Sequence, residues 1–294
     1  MIQYNPKLWF SLIFHSYSRQ VLWKLWPAIF VMGFFTAGFC YFILGYLGID
    51  RHEFDGTTAI HSLLGIVLGL FLVFRTNSAY DRWWEGRKLW GGLVNSTRNL
   101  AIKLNAYLPD QDKDNRMWFA GMIANFVIAT KDHLRNGVQM NELIEVDGSL
   151  SHDLNQHVHL PNRIASLTYE RINSLHKNEQ LNGYQLINLD KEIKDFIDLL
   201  GGCERIRNTP IPYSYSMYIK KFIFTYLITL PFGLIPTFGY FTIATVMFVA
   251  YILLSVELIA EDIEDPFGKD PNDLPTDELS QKIQENVTEI LKVR

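Results

Sequence analysis

Apolar residues fall along this chain in long uninterrupted blocks, separated by equally long polar stretches. Leu25 to Ile49 is uncharged and apolar, and a bilayer core needs about 20 helical residues. Trp23, Trp26, Tyr41 and Tyr46 lie near its ends, where interfacial aromatics belong. A short acidic link, Asp50 to Gly56, precedes a second apolar span, Ala59 to Phe74. Short loops poor in lysine and arginine are outer loops, so the first crossing leads out and the second returns. No proline interrupts Ile60 to Trp90. One helix therefore starts in the bilayer, leaves it near Arg75 and continues into a polar half rich in tryptophan. Arg75, Arg82, Arg87 and Lys88 mark the exit side as cytoplasmic. Phe222 to Val256 is too long for one crossing and carries Pro231, Gly233, Pro236 and Gly239 in its middle. It reads as two crossings joined by a tight outer turn. Lys220 and Lys221 before it and the acidic tail after it keep both ends, and both termini, inside.

The remaining stretches read as helical too. Met1 to Lys24 is amphipathic, lying on the membrane surface or packed against the cytosolic region. Within Gly86 to Arg207, Met117, Ala120, Ile123, Ala124 and Val127 recur at helical spacing, as do Leu189, Ile193, Phe196, Ile197 and Leu200. Between these runs lies a polar connection, Asn136 to Pro161, and no alternating strand pattern appears. Glu278 to Arg294 is a short amphipathic helix. The expected organisation is an all-α membrane protein. It has an amphipathic segment (1–24), a first helix pair (25–84), a helical cytosolic region (85–215), a second helix pair (216–258) and an acidic loop with a C-terminal helix (259–294).

Composition sharpens this picture. The chain has 294 residues, 48% of them hydrophobic and 14% aromatic, with a net charge of −4. Its apolar content is concentrated in blocks, which argues for a membrane rather than a large soluble core. The mild negative charge and the lack of a basic stripe argue against a nucleic-acid partner. Two cysteines, Cys40 and Cys203, make no disulfide framework. The N-terminus lacks the pattern of a cleaved signal peptide. No nucleophile–base pair, phosphate loop or cofactor fingerprint appears, so the chain does not read as an enzyme. His152, His157 and His159 read as a surface loop rather than a metal site.

Gly65 and Gly69, four residues apart in the second span, allow a neighbouring backbone to come close. That fits a contact inside one chain or packing around a central axis. Ile66, Leu70 and Phe74 share one helix face. Spacing alone equally fits lipid or helix packing there. Thr209-Pro-Ile-Pro-Tyr213 interrupts helix. Asp262, Glu264, Asp265, Asp270 and Asp273 cluster around Gly268, either as a solvated acidic tail or as an oxygen-rich loop of the kind hard cations use.

Phe74-Arg-Thr-Asn-Ser-Ala-Tyr-Asp-Arg-Trp-Trp-Glu85, Asp262-Ile-Glu-Asp-Pro-Phe-Gly-Lys-Asp-Pro-Asn-Asp273 and the shorter Ser16-Tyr-Ser-Arg19 fall in an order that resembles the bestrophin family of ion channels. The resemblance covers nearly the whole chain and leaves the middle, roughly 111–188, without a matching motif. It implies a homopentamer in a lipid bilayer, the inner membrane of a cell. Ile66, Leu70 and Phe74 from each copy then line a hydrophobic neck that gates by dewetting, and Ile211 takes the position of a cytosolic aperture. Inorganic ions are the cargo: chloride by family, with sodium and potassium in some bacterial members. In animal relatives the acidic loop is a calcium clasp, which would here draw on Asp262, Asp265, Asp270 and Asp273. Lys269 and Pro271 interrupt the acidic run, so no cofactor is expected to be required and calcium is not favoured. The rivals are a secondary transporter, which calls for an ionisable residue at mid-membrane, and a membrane-anchored structural or regulatory protein without a pore. His61 is the only Asp, Glu, Lys, Arg or His within the apolar spans, and it lies near an end.

Overall fold

The computed structural model describes residues 16–50, 56–148 and 150–293. Every regular element among them is helical. In chain order these are α1 Ser16–Cys40 with a π-helical turn Tyr41–Tyr46, α2 Thr57–Tyr107, α3 Lys113–His133, α4 Leu150–Leu154, α5 Leu160–Lys177, α6 Gly183–Asn208, α7 Tyr213–Phe238, α8 Thr242–Glu264 and α9 Thr276–Ile290. Short 3₁₀ turns occupy Met140–Glu142 and Gly239–Phe241. The described residues form two compact units: 82–148 and 150–209 with 265–293, and 16–50 and 56–81 with 210–264.

In the second, membrane unit, α1 packs along α8 and α7 along α8. Gly33 permits the first contact, because a Cβ there would lie 2.7 Å from the Met247 sulfur. Leu68 and Leu72 of α2 are buried with Ile219, Ile223, Leu227, Val246 and Ala250. Between membrane helices such packing supplies the attraction, since lipid is as apolar as the side chains. Gly65 belongs to a contact within the chain, with the Tyr226 hydroxyl 2.9 Å from its would-be Cβ, whereas Gly69 faces open space.

Two boundaries differ from expectation. Helix α1 is described from Ser16 and passes Lys24 without a break, so that part of the amphipathic segment is continuous with the first crossing; residues 1–15 lie outside the described residues. Helix α7 also runs straight through Pro231 and Pro236, and the chain reverses only at Gly239, whose φ of 53° suits glycine. A proline inside a helix orphans the carbonyl four residues earlier. For Pro236 that carbonyl is Phe232 O, and Thr57 Oγ1 donates to it at 2.7 Å while Thr58 Oγ1 donates to Gly233 O at 2.8 Å. The start of α2 thus repairs the helix that the proline damages, as a membrane interior requires.

The other unit is built around α3, whose residues from Asn115 to Asp132 are buried apart from Met117. Met117, expected on the core face, points outward instead. The α3 face meets Trp90, Leu93, Leu100 and Leu104 of α2 and the apolar sides of α5, α6 and α9. Arg116 uses its buried guanidinium to hold carbonyls at the end of α2, donating to Leu108 O at 2.8 Å, Asn105 O at 3.1 Å and Pro109 O at 3.1 Å. These are the groups a helix C-terminus leaves without donors. Helix α6 starts with a reciprocal cap between Asn182 and Gln185.

The polar connection after α3 folds back over that helix. Asn125, fully buried, donates to Ile144 O and accepts from Ile144 N, both at 2.7 Å. Gly121 leaves room for Val146, whose Cγ1 would sit 2.3 Å from a Cβ. Asn125→Ala strands both Ile144 backbone groups. It is expected to cost about 2 kcal/mol, read as a lower melting temperature of the purified protein.

Candidate functional site

Helix α2 is continuous for 51 residues. In its membrane half it buries Leu68, Leu72, Arg75 and Ala79, a stripe at helical spacing. The opposite stripe carries Ile66, Leu70 and Phe74, which are 73%, 55% and 53% exposed. No described residue covers it. The stripe spans about 12 Å along the axis, at 1.5 Å per residue. It has no charge, and past Phe74 it turns polar at the exposed Asn77 and Asp81, which the apolar spacing alone does not bring into the set.

One residue beyond Phe74 the character changes completely. Arg75 is fully buried, with Nη2 2.7 Å from Glu264 Oε2 and Nε 3.5 Å from Glu257 Oε1. By sequence alone Arg75 is an interfacial charge marking the membrane exit. In the structure it is an internal cation held between two carboxylates of α8. Glu264 then uses its other oxygen to accept from Ile211 N at 3.1 Å. The proline-flanked break is therefore tied by hydrogen bonds to the end of the apolar stripe. Ile211 itself is half-buried. Lys220 and Glu261 form a further ion pair between α7 and α8.

The acidic residues take different partners. Asp262 ends up on α8 in the membrane unit, 3.7 Å from the Lys24 ammonium. Asp265, Asp270 and Asp273 belong to the other unit. There Asp273 Oδ2 accepts from Asp270 N at 2.6 Å, Leu274 N donates to Pro266 O at 2.9 Å and Asp265 faces Phe267 N at 3.4 Å. Trp83 Nε1 donates to Asn272 O at 3.0 Å, so the Trp-Trp motif and the Pro-Phe-Gly loop touch each other. Gly268 is required, since a Cβ would lie 2.6 Å from Asp273 Oδ2. Asp273 and Asp265 thus each use one oxygen to accept from the loop's own N–H groups.

Arg135 fastens the same loop, donating to Phe267 O at 3.0 Å and to both Asp277 oxygens at 2.8 Å. That guanidinium lowers the Asp277 carboxyl from its ordinary 3.8 to about 2. A depressed folded value means stability that is present above the ordinary value and lost as pH falls toward about 2. Asp277→Asn is therefore expected to flatten the acid limb of a melting-temperature profile between about pH 4 and about pH 2, whereas an unchanged limb would assign it to other carboxylates.

His159 lies in the connection that leads into α5, as the N-cap of that helix. Among the described residues it groups with His133 and Glu204, from α3 and α6, and not with His152 or His157.

Among the described residues three helical stretches, Val21–Tyr46, Thr57–Tyr107 and Tyr213–Glu264 (the last spanning α7 and α8), are apolar and long enough to cross a membrane, and one of them carries the uncovered, uncharged stripe. The chain belongs to the bacterial/fungal bestrophin family, whose profile matches residues 1–289. It is 37% identical over 262 residues to a voltage-dependent anion channel-forming protein of Synechocystis sp., covering 86% of this chain and 84% of that one. It is 37% identical over 230 residues to a protein of the same description from Nostoc sp., covering 76% of this chain and 75% of the other. The crystal structure of a bacterial bestrophin homologue from Klebsiella pneumoniae superposes with a TM-score of 0.81 at 28% identity, covering 90% of this chain and 98% of that chain. The protein is thus a member of an ion-channel family and not an enzyme.

Proposed function

We propose that several copies of this chain, five by family, form a ring in the inner membrane of the cell and conduct small inorganic anions along its axis. The observation that carries the reading is the uncovered stripe of Ile66, Leu70 and Phe74. One helix encloses nothing, but the same stripe repeated around an axis makes a narrow apolar tube that closes to ions by shedding water. Exposed Tyr184 and Ile187 at the start of α6 are further apolar groups that a ring would cover. In this reading both termini lie on the cytoplasmic side. The neck itself carries no fixed charge, so the choice of anions rests on the relatives named as anion channel-forming proteins. Ile211 is proposed as a second, cytosolic constriction held by Glu264. Its replacement by alanine is expected to change the relative permeability of anions, and an unaltered permeability sequence removes Ile211 from the ion path.

Calcium is not required in this reading, because the acidic loop is closed by its own hydrogen bonds and by Arg135. The test is recording from purified protein in planar bilayers under a tenfold potassium chloride gradient, with a calcium chelator on both sides. Anion conduction predicts a persistent current whose reversal potential approaches the chloride limit of about 59 mV. A reversal of opposite sign means cation conduction. Current that needs micromolar calcium restores a clasp through Asp270 and Asp273.

A further inference from the structure

Two imidazoles and one carboxylate converge in the cytosolic unit from three different elements. His133 is the last residue of α3, His159 caps the start of α5, and Glu204 lies on α6. The Nε2 atoms of both histidines lie 2.8 Å from the same oxygen, Glu204 Oε1. The two rings are 4.5 Å apart, and the three donor atoms all lie within 4.8 Å of one another. The side chains are 26%, 34% and 25% exposed, so the cluster is fixed by packing on one side and open to water on the other. An anion channel has no evident use for it, and the pairs are 71 and 45 residues apart in sequence.

We propose that His133, His159 and Glu204 form a binding site for a divalent first-row transition metal ion, with Zn²⁺ the preferred occupant and water completing the shell. Two imidazoles with one carboxylate is a set that suits zinc, nickel or copper, whereas calcium and magnesium select oxygen alone. Zinc also accepts three protein ligands with an open position. Zinc–ligand bonds of about 2.0–2.2 Å in a tetrahedron hold the ligand atoms about 3.3 Å apart. Glu204 must then retreat by about 0.5 Å from its present 2.8 Å contacts, a small motion for a half-exposed side chain. Arg207 opposes the ion. Its guanidinium donates to the carbonyls of His133 and Arg135, and its charge sets an upper bound on affinity.

The tautomer of His159 makes the proposal distinctive. Its Nδ1 accepts from Asn162 N at 3.3 Å, so in the neutral ring the proton sits on Nε2 and points at Glu204. A metal at Nε2 needs the other tautomer, in which the proton has moved from Nε2 to Nδ1 and frees the Nε2 lone pair; the protonated Nδ1 can no longer accept from Asn162 N, which ends the cap on α5. The metal therefore competes with a local hydrogen bond. The variant His159→Asn retains an N-cap side chain while removing the ligand, so it separates the two roles.

The experiment uses the full-length protein in detergent, freed of any histidine tag and of metal, titrated calorimetrically with zinc chloride and separately with calcium chloride. One Zn²⁺ per chain is expected, with calcium giving no competing heat. His133→Gln, His159→Asn and Glu204→Gln are each expected to weaken zinc binding at least tenfold. Cobalt(II) added to the unaltered protein reads the ligands without any mutation and is expected to give visible absorption bands of a four- or five-coordinate ion with nitrogen ligands. Absence of both zinc heat and cobalt bands overturns the proposal, as does unchanged zinc affinity in His159→Asn.

Discussion

Replacing Ile66, Leu70 and Phe74 together by alanine is expected to raise the open probability of the channel, its unitary conductance, or both. The stripe is uncovered in the single chain, so truncation opens no cavity in the membrane unit and the fold is spared the usual penalty of a large-to-small change. The loss falls instead on the closed state, which depends on apolar walls near enough to exclude water. Removing as little as about 1.4 kcal/mol from the preference for that state multiplies the open-to-closed ratio tenfold. Single-channel recording measures both quantities directly. Unchanged currents would return the stripe to a role in lipid or subunit packing.

The second large effect belongs to Arg75. Its guanidinium is fully buried, and Glu257 and Glu264 supply its charge partners. Breaking a buried pair by removing one partner leaves an uncompensated charge and costs about 3–5 kcal/mol. Arg75→Met is therefore expected to lower the melting temperature in detergent strongly and to release Ile211 from Glu264. Lysine does not substitute, because a single ammonium cannot reach both carboxylates in the forked geometry of arginine. The triple variant Arg75→Met, Glu257→Gln, Glu264→Gln removes all three charges together. It is expected to recover most of the lost stability, since exchanging a whole buried ionic group for neutral groups is often tolerated. If Arg75→Met melts like the unaltered protein, the network is incidental.

Much of this architecture is legible in the sequence because it rests on local pattern. The apolar blocks mark the crossings, the absence of proline from Ile60 to Trp90 marks the long α2, and the i, i+4, i+8 spacing puts Ile66, Leu70 and Phe74 on one stripe. What escapes depends on partners far along the chain. Arg75 meets Glu264 across 189 residues, and nothing near Arg75 distinguishes a buried cation from an interfacial one. Pro231 and Pro236 signal a break, yet α7 continues, because Thr57, 175 residues away, satisfies the carbonyl that Pro236 releases. His159 reads as a loop residue when only His152 and His157 are considered; its partners come from α3 and α6. The acidic residues look like one set in sequence, but Asp262 pairs with Lys24 while Asp273 closes its own turn.

That an apolar stripe of α2 faces the ion path is tested most directly by a cysteine placed at Leu70. The native thiols provide a silent background: Cys40 is fully enclosed, and burial pushes the Cys203 thiol up to about 12, where little reactive thiolate forms. Leu70→Cys protein, recorded in a bilayer while a water-soluble charged methanethiosulfonate reagent is added, is predicted to lose or markedly change its current within the exposure, with the unaltered protein unaffected. A current that remains constant after mass spectrometry has shown the introduced thiol to be modified would contradict the pore assignment.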